Sequence, residues 1–276
     1  MKNKISITIN NKILRDIDSI VDNLIIRNRS QAIEYLIKRA LQESKIAVIL
    51  AGDSPILSTE KLRNRYALKI NHTTLIEKII KKVKDCGFNT IYIIADHSTL
   101  TNIFNIVGDN YGKTKIEFID DSETPKGNAS ALKMLKGKIK TTFLVVQCDL
   151  VIDYINILEL WKQHLQEKNV GTMLVCSSIA SEKSICYGHV NLERNKITSY
   201  VEKPAPKKLN SSLFFGGIFI AEPEIFNYPG NSLEFDIFPE LAKRNILGGQ
   251  ITSADHLHIH TREDLARVKK RIKEIG

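Results

Sequence analysis

Ile46-Ala-Val-Ile-Leu-Ala-Gly-Asp53 is a run of five apolar residues that ends in an Ala-Gly turn. An apolar run this short, with no polar alternation, is the pattern of a strand buried on both faces, as in a parallel sheet. A glycine directly after such a strand lets backbone N–H groups approach a phosphate or a base. Ala51 and Gly52 are therefore candidate ligand-binding residues.

Downstream of this strand, apolar runs alternate with helical patterns. Strands are expected at 90–94, 115–119, 142–146 and 171–176, with helices at 74–86, 97–107, 128–135 and 155–166. Such alternation predicts an α/β fold, a Rossmann-like domain with a mostly parallel mixed sheet covered on both faces. After Ser177 the strands become shorter (188–192, 197–201, 214–220), and an amphipathic helix over 262–275 closes the chain.

Upstream, the pattern differs. Lys4-Ile-Ser-Ile-Thr-Ile9 alternates with period two, placing Ile5, Ile7 and Ile9 on one face and Lys4, Ser6 and Thr8 on the other. Asn10 or Asn11 can cap a helix whose apolar positions run from Ile13 to Leu24. Arg27-Asn-Arg29 leads to Ser30, a good N-cap, and a second helix with Ala32, Ile33, Leu36, Ile37, Ala40 and Leu41 inward. One strand and two helices cannot close a core alone, so this segment is expected to borrow a partner. The chain accordingly divides into 1–43 and 44–276, and a homodimer or higher even oligomer follows.

Composition sets the outer limits. With 43% hydrophobic and 26% charged residues, a large buried core is within reach and disorder is not indicated. No apolar run approaches the ~18 residues that a membrane crossing needs, and the N-terminus alternates rather than forming a signal-peptide block. A cytoplasmic location without a membrane partner is expected. The net charge of +9 suits polyanionic partners, and residues 1–43 carry eight Lys/Arg against five Asp/Glu. The four cysteines, Cys86, Cys148, Cys176 and Cys186, show neither zinc-finger spacing nor a disulfide pattern.

The first segment, with its polar strand face, resembles the ribbon-helix-helix family over residues 3–43. The resemblance implies an intertwined dimer whose paired strands enter the DNA major groove. Lys4, Ser6 and Thr8 would then contact base edges, while Arg29 and Ser30 at the start of the second helix would meet phosphate. A dimerisation module that touches no DNA is the alternative, since a lysine on an edge strand also guards against aggregation.

The long segment carries an ordered series of motifs. These are Lys69-Ile-Asn-His-Thr-Thr-Leu-Ile-Glu77, Gly127-Asn-Ala-Ser-Ala-Leu132, Gln147-Cys-Asp149, Tyr187-Gly-His-Val190, Glu202-Lys-Pro204, Phe214-Phe-Gly-Gly-Ile-Phe219 and Glu234-Phe-Asp-Ile-Phe-Pro239. Taken in order, they resemble the sugar-phosphate nucleotidyltransferases, the nucleotide-sugar pyrophosphorylases. The resemblance implies that Gly127 and Asn128 hold the base, Gly188 and Gly217 abut the ligand, and Glu202 bonds sugar hydroxyls. Lys203 would meet the sugar phosphate, and Asp149 would hold Mg2+.

The series departs from the family at two places. The family's Gly-Gly-x-Gly-Thr-Arg loop is here Gly52-Asp-Ser-Pro-Ile-Leu57. Asp53 puts negative charge where phosphates lie, and Pro55 removes an N–H donor. The family's following lysine falls near Asn64-Arg65, so Arg63 or Arg65 is the candidate for its charge, with a different geometry. The second metal aspartate falls at His258, within His256-Leu-His-Ile-His-Thr261. Histidine suits a transition metal better than Mg2+; the other reading of His256, His258 and His260 is a strand whose imidazoles pair with neighbours. The expectation that follows is a DNA-binding transcriptional regulator whose large domain binds a nucleotide, nucleotide-sugar or sugar phosphate. The alternative is an active magnesium-dependent sugar-1-phosphate nucleotidyltransferase carrying a DNA-binding or dimerisation arm.

Overall fold

The computed structural model describes residues 6–22, 24–43, 45–52, 64–124, 127–177, 187–205 and 211–275. It divides into two compact units, Met1–Ser44 and Lys45–Gly276. Lys4, Asp53–Leu57, Arg63 and Cys186 lie outside the described residues.

The first unit contains α1 (Asn11–Ser19) and α2 (Arg29–Glu43). Asn10 caps α1, its side chain accepting from Lys12 N at 2.7 Å. The helix stops at Ser19, short of the expected Leu24. Asp22 Oδ1 accepts from the backbone N–H groups of Leu24, Ile25 and Ile26, each at 2.8 Å, and so turns the chain out of the helix. Leu24 and Ile25 are left 79% and 84% exposed. At the start of α2 the cap is Asn28, whose Oδ1 accepts from Gln31 N at 3.0 Å, and not Ser30, which lies inside the first turn. Residues 6–10 enter no strand. Ile17 and Ala32 are the buried apolar side chains among this unit's described residues.

The second unit opens with β1 (Ile46–Leu50), β2 (Lys69–Ile70), β3 (Thr73–Thr74), α3 (Leu75–Asp85), β4 (Thr90–Ala95) and α4 (His97–Val107). It continues with β5 (Asn110–Tyr111), β6 (Thr114–Asp120), α5 (Asn128–Lys133), β7 (Phe143–Gln147), β8 (Leu150–Val151), α6 (Ile157–Gln166) and β9 (Gly171–Ser177). The last elements are β10 (Gly188–Glu193), β11 (Lys196–Glu202), β12 (Leu213–Ala221), α7 (Phe238–Lys243), β13 (Leu247–Ile251), β14 (Leu257–His258) and α8 (Arg262–Ile275).

Ten strands form one sheet in the order β10-β11-β13-β9-β12-β7-β1-β4-β6-β5. The block β7-β1-β4-β6 is parallel, as is β13 on β9. The remaining pairings, including β12 with both β7 and β9, are antiparallel. The sheet is thus more mixed than expected from the sequence. Crossover helices link the first strands, whereas β10 and β11 form a hairpin and can only run antiparallel.

Successive side chains of the central strands enter opposite faces, producing two cores. Ala47, Ile49, Ile91, Ile93, Leu144 and Val146 pack on the side of α3, α4, α6 and α8. Val48, Tyr92, Ile94, Phe143 and Val145 pack on the side of α5 and α7. α3 starts at a capping box in which Glu77 N donates to Thr74 Oγ1 and Thr74 N donates to Glu77 Oε2. Its Ile76, Ile79 and Ile80 are fully buried, each contributing about 1.5–3 kcal/mol. Among the described residues no helix is long and apolar enough to cross a membrane.

Candidate functional site

Within the parallel block the order is β6-β4-β1-β7, so the winding direction reverses between β1 and β7. A crevice opens at the carboxyl ends of strands at such a reversal. Here it is a cleft of about 890 Å³. Ala51 and Gly52 enter it from the end of β1, and Cys148 and Asp149 from the end of β7. Cys148 N donates to Leu50 O at 3.0 Å and ties the end of β7 to β1, while Ala51 N donates to Ile94 O at 2.9 Å and ties β1 to β4.

A small second ladder completes one wall. β14 pairs antiparallel with β8, setting His258 opposite Leu150, and Ile259 N donates to Asp149 O at 2.9 Å. His258 Nε2 consequently lies 3.0 Å from Asp149 Oδ2. Arg65 Nη1 donates to the same oxygen at 2.7 Å and lies 3.2 Å from His260 Nδ1. Burial opposes ionisation of Asp149, but His258, Arg65 and His260 outweigh it and hold its carboxyl well below the usual carboxylate range. Among the described residues, nothing hydrogen-bonds to the buried Asp149 Oδ1 or His258 Nδ1. The ligand atoms of Asp149, His258 and His260 all lie within 4.8 Å of one another. Two imidazoles and one carboxylate do not suit Mg2+, which takes oxygen ligands in a near-ideal octahedron.

The facing wall comes from the β10–β11 hairpin. Tyr200 donates its hydroxyl to Glu202 Oε2 at 2.9 Å, and Lys203 Nζ lies 3.6 Å from Glu202 Oε1. Burial is the main cause that raises the Glu202 carboxyl above its ordinary value. Lys203 has φ +45°, a left-handed backbone that a lysine rarely adopts, and its N–H donates to Tyr187 O at 3.1 Å. At the far end, Asn128 Nδ2 donates to both oxygens of Glu234, at 2.8 and 2.7 Å, while its Oδ1 accepts from Leu233 N. Gln147 Nε2 donates to Glu234 Oε1 at 3.0 Å. Gly127 has φ +139°, and a Cβ there would lie 2.2 Å from Asn231 O, so the approach of α5 to residue 231 requires glycine.

The family profile described as nucleotidyl transferase matches residues 46–234, which is more than half of the chain. The chain belongs to the nucleotidyl transferase family. Over 123 residues it is 31% identical to a UTP–glucose-1-phosphate uridylyltransferase of Synechocystis sp.. That match spans 42% of this chain and 31% of the relative, so the chain covers about a third of the relative's length. A solved Bacillus anthracis protein, named as a glucose-1-phosphate thymidylyltransferase and in complex with sucrose, superposes with a TM-score of 0.70 at 18% identity. That superposition covers 84% of this chain and 96% of the other. A UDP-glucose pyrophosphorylase complexed with UDP-glucose gives a TM-score of 0.64 at 17% identity, covering 84% of this chain and 99% of that one. At these identities the structural likeness is one of fold.

In this nucleotidyl transferase domain the cleft brings together Asp149, Lys203, Arg65, His258, Ala51, Gly52, Gly127, Asn128, Gly188 and Glu202, all nominated by the sequence. Gly217 is not on the lining. It sits behind the cleft, where a Cβ would lie 2.5 Å from Leu150 Cδ1 and 3.1 Å from Gln147 Oε1. Glu234, Gln147 and Tyr187 also line the cleft without having been nominated. Their only sequence signal was membership of the quoted motifs. In the first unit, Ser6, Thr8 and Ser30 are exposed. Arg29 forms a two-pronged ion pair with Asp18 across α1 and α2, with Nε to Oδ1 at 2.6 Å and Nη2 to Oδ2 at 2.9 Å. Much of its guanidinium is thereby committed within the unit instead of facing outward.

Proposed function

We propose that Lys45–Gly276 is a sugar-1-phosphate nucleotidyltransferase and that residues 1–43 are a ribbon-helix-helix arm that pairs two chains and contacts DNA. The observation that carries the first half is the convergence of the Gly52 turn, Asp149, Glu202 and Lys203 on one cleft at the sheet's reversal point. A phosphate oxygen of the sugar 1-phosphate attacks the α-phosphorus of a nucleoside triphosphate. The bond from that phosphorus to the bridging oxygen breaks, and pyrophosphate leaves with the electron pair. The protein's part in such a step is alignment and neutralisation of charge.

Gly52 offers backbone N–H to the triphosphate, and Gly127 and Asn128 form the base end of the cleft. Glu202 accepts from sugar hydroxyls. Lys203, 57% exposed and carried on its left-handed backbone beside Glu202, supplies positive charge to the sugar phosphate. Arg65 adds a second cation at the Asp149 end. The family's metal is Mg2+ by expectation, and the His258 and His260 donors do not fit that ion.

One observation favours a second reading. Asp149 is clamped by Arg65 and His258 in the manner of a finished ion pair, which suits a DNA-binding regulator that holds a nucleotide-sugar without turning it over. A single assay separates the two. The full chain is incubated with a panel of nucleoside triphosphates, sugar 1-phosphates and divalent ions, and pyrophosphate is measured. Release that disappears in Lys203→Ala supports transfer. Tight binding of a nucleotide-sugar with no release under any ion supports the regulator. For the arm, Ser6→Ala/Thr8→Ala with Lys4→Ala is expected to abolish binding to DNA fragments selected by the full chain, and unchanged binding rules that role out.

A further inference from the structure

We propose that Asp149, His258 and His260 form a site for a borderline divalent ion of the zinc, cobalt or nickel class, and that Arg65 competes with that ion for the same position. This goes beyond nucleotidyl transfer and does not depend on which ligand fills the rest of the cleft.

The donor chemistry comes first. One carboxylate and two imidazoles offer one oxygen and two nitrogens within 4.8 Å of one another, close enough to converge on a single ion. Imidazole donors favour zinc, copper, iron and nickel, whereas magnesium and calcium favour oxygen. His258 and His260 alternate around Ile259, which is fully buried in the core, so strand periodicity sends both imidazoles the other way, to the cleft. The β8–β14 ladder and the Ile259 N to Asp149 O bond fix this pair against the end of β7. Such backbone support keeps metal ligands in place ahead of the ion.

The second observation is the pair of unsatisfied atoms. Asp149 Oδ1 and His258 Nδ1 are both buried, and among the described residues neither has a hydrogen-bond partner. A buried carboxylate oxygen without a donor is costly. An ion bound to Asp149 would take up that lone-pair capacity, and the His258 nitrogen that faces it is Nε2, 3.0 Å from Asp149 Oδ2.

The third observation is Arg65. Its Nη1 sits 2.7 Å from Asp149 Oδ2 and 3.2 Å from His260 Nδ1, which places a guanidinium between two of the three donors. A guanidinium and a divalent ion cannot share that space, and their charges repel. Arg65 therefore lowers the site's ion affinity while supplying positive charge to Asp149 itself.

The test uses the full chain, stripped with EDTA and desalted. Co2+ is titrated while visible absorption and binding heat are followed, and Zn2+ and Mg2+ are titrated by heat alone. The expected result is one Co2+ per chain, with the visible band that nitrogen ligation gives, and affinity for Co2+ and Zn2+ at least about tenfold above that for Mg2+. His258→Ala and His260→Ala should each weaken Co2+ by about tenfold or more, and Arg65→Gln should tighten it by a similar factor. His258→Asp guards against an unfolded alanine variant, since it keeps a ligand and should shift preference from Co2+ toward Mg2+. Mg2+ binding more tightly than Co2+, equal Co2+ affinity in the histidine variants, or an unchanged affinity in Arg65→Gln would overturn the proposal. None of those outcomes bears on pyrophosphate release, so the transfer reading stands or falls separately.

Discussion

The Tyr200 hydroxyl donates to Glu202 Oε2 at 2.9 Å in the very space that a side chain at position 188 would occupy. A Cβ on Gly188 would lie 1.9 Å from Tyr200 Oη and 2.6 Å from Glu202 Oε2. Both atoms belong to side chains that are mostly buried and packed, so neither has room to yield. The absence of a Cβ at 188 is therefore what lets Glu202 stand in the cleft.

Gly188→Ala is expected to displace this pair. Nucleotide-sugar affinity should fall by about tenfold or more, and stability by about 1–3 kcal/mol, the usual cost of overpacking a core. Calorimetric titration and urea unfolding measure the two effects. An unchanged affinity would show that Glu202 does not face the ligand.

Glu202→Gln separates function from stability. Burial raises the Glu202 carboxyl, so the folded chain holds its proton to higher pH than the unfolded chain does. The charge therefore costs stability as pH rises above the unfolded value, with the full cost present above the folded value. Glu202→Gln should unfold at higher urea than the parent at pH 7, and the gap should close at pH 4. Ligand binding should weaken in the same variant.

His164 sets the acid limb. It is 1% exposed, 2.8 Å from Thr172 Oγ1 and 3.1 Å from Glu222 Oε1. Burial lowers its pKa below the ordinary 6.5 despite the nearby Glu222 carboxylate. Below pH 6.5 the unfolded chain takes up a proton that the folded chain refuses, so this contribution to stability is full above 6.5 and fades as pH falls. His164→Leu should lose about 1 kcal/mol at pH 7.5 by removing the hydrogen bonds to Thr172 and Glu222. Between pH 7.5 and 5.5 its urea midpoint should vary less than the parent's. A parallel pH dependence in parent and variant would remove His164 as the source.

The first unit is expected to govern association. Among its described residues it buries Ile17 and Ala32 and leaves Ile7, Ile13, Leu24 and Ile25 more than half exposed. Deleting residues 1–44 should leave the thermal midpoint of the remainder within a few degrees, because its two cores lie wholly within 45–276. Sedimentation should show the full chain as a dimer and the truncated chain as a monomer. A dimeric truncated chain would place the association surface in the second unit.

By itself, the sequence determined most of the strands and helices of the second unit. Ile46–Leu50 reads as a doubly buried strand, and Asn128, Asp149, Gly188 and Glu202-Lys203 were nominated through the resemblance of their motifs to the family; they line one cleft. Local pattern failed where a single side chain redirects the backbone, as Asp22 does at the end of α1. It also failed for β13, where Leu247-Gly-Gly-Gln-Ile251 has little strand signal. A Cβ on Gly248 would lie 2.3 Å from Asn169 Nδ2, and one on Gly249 would lie 2.6 Å from Ile197 Cδ1. Those glycines exist for neighbours on other elements. Tertiary structure alone decided that Arg65 and His260 join Asp149 and His258, and that Asn128 and Gln147 hold Glu234. The reason is that strand order sets distances between residues far apart in the chain, whereas periodicity and motifs constrain only a residue's immediate neighbours.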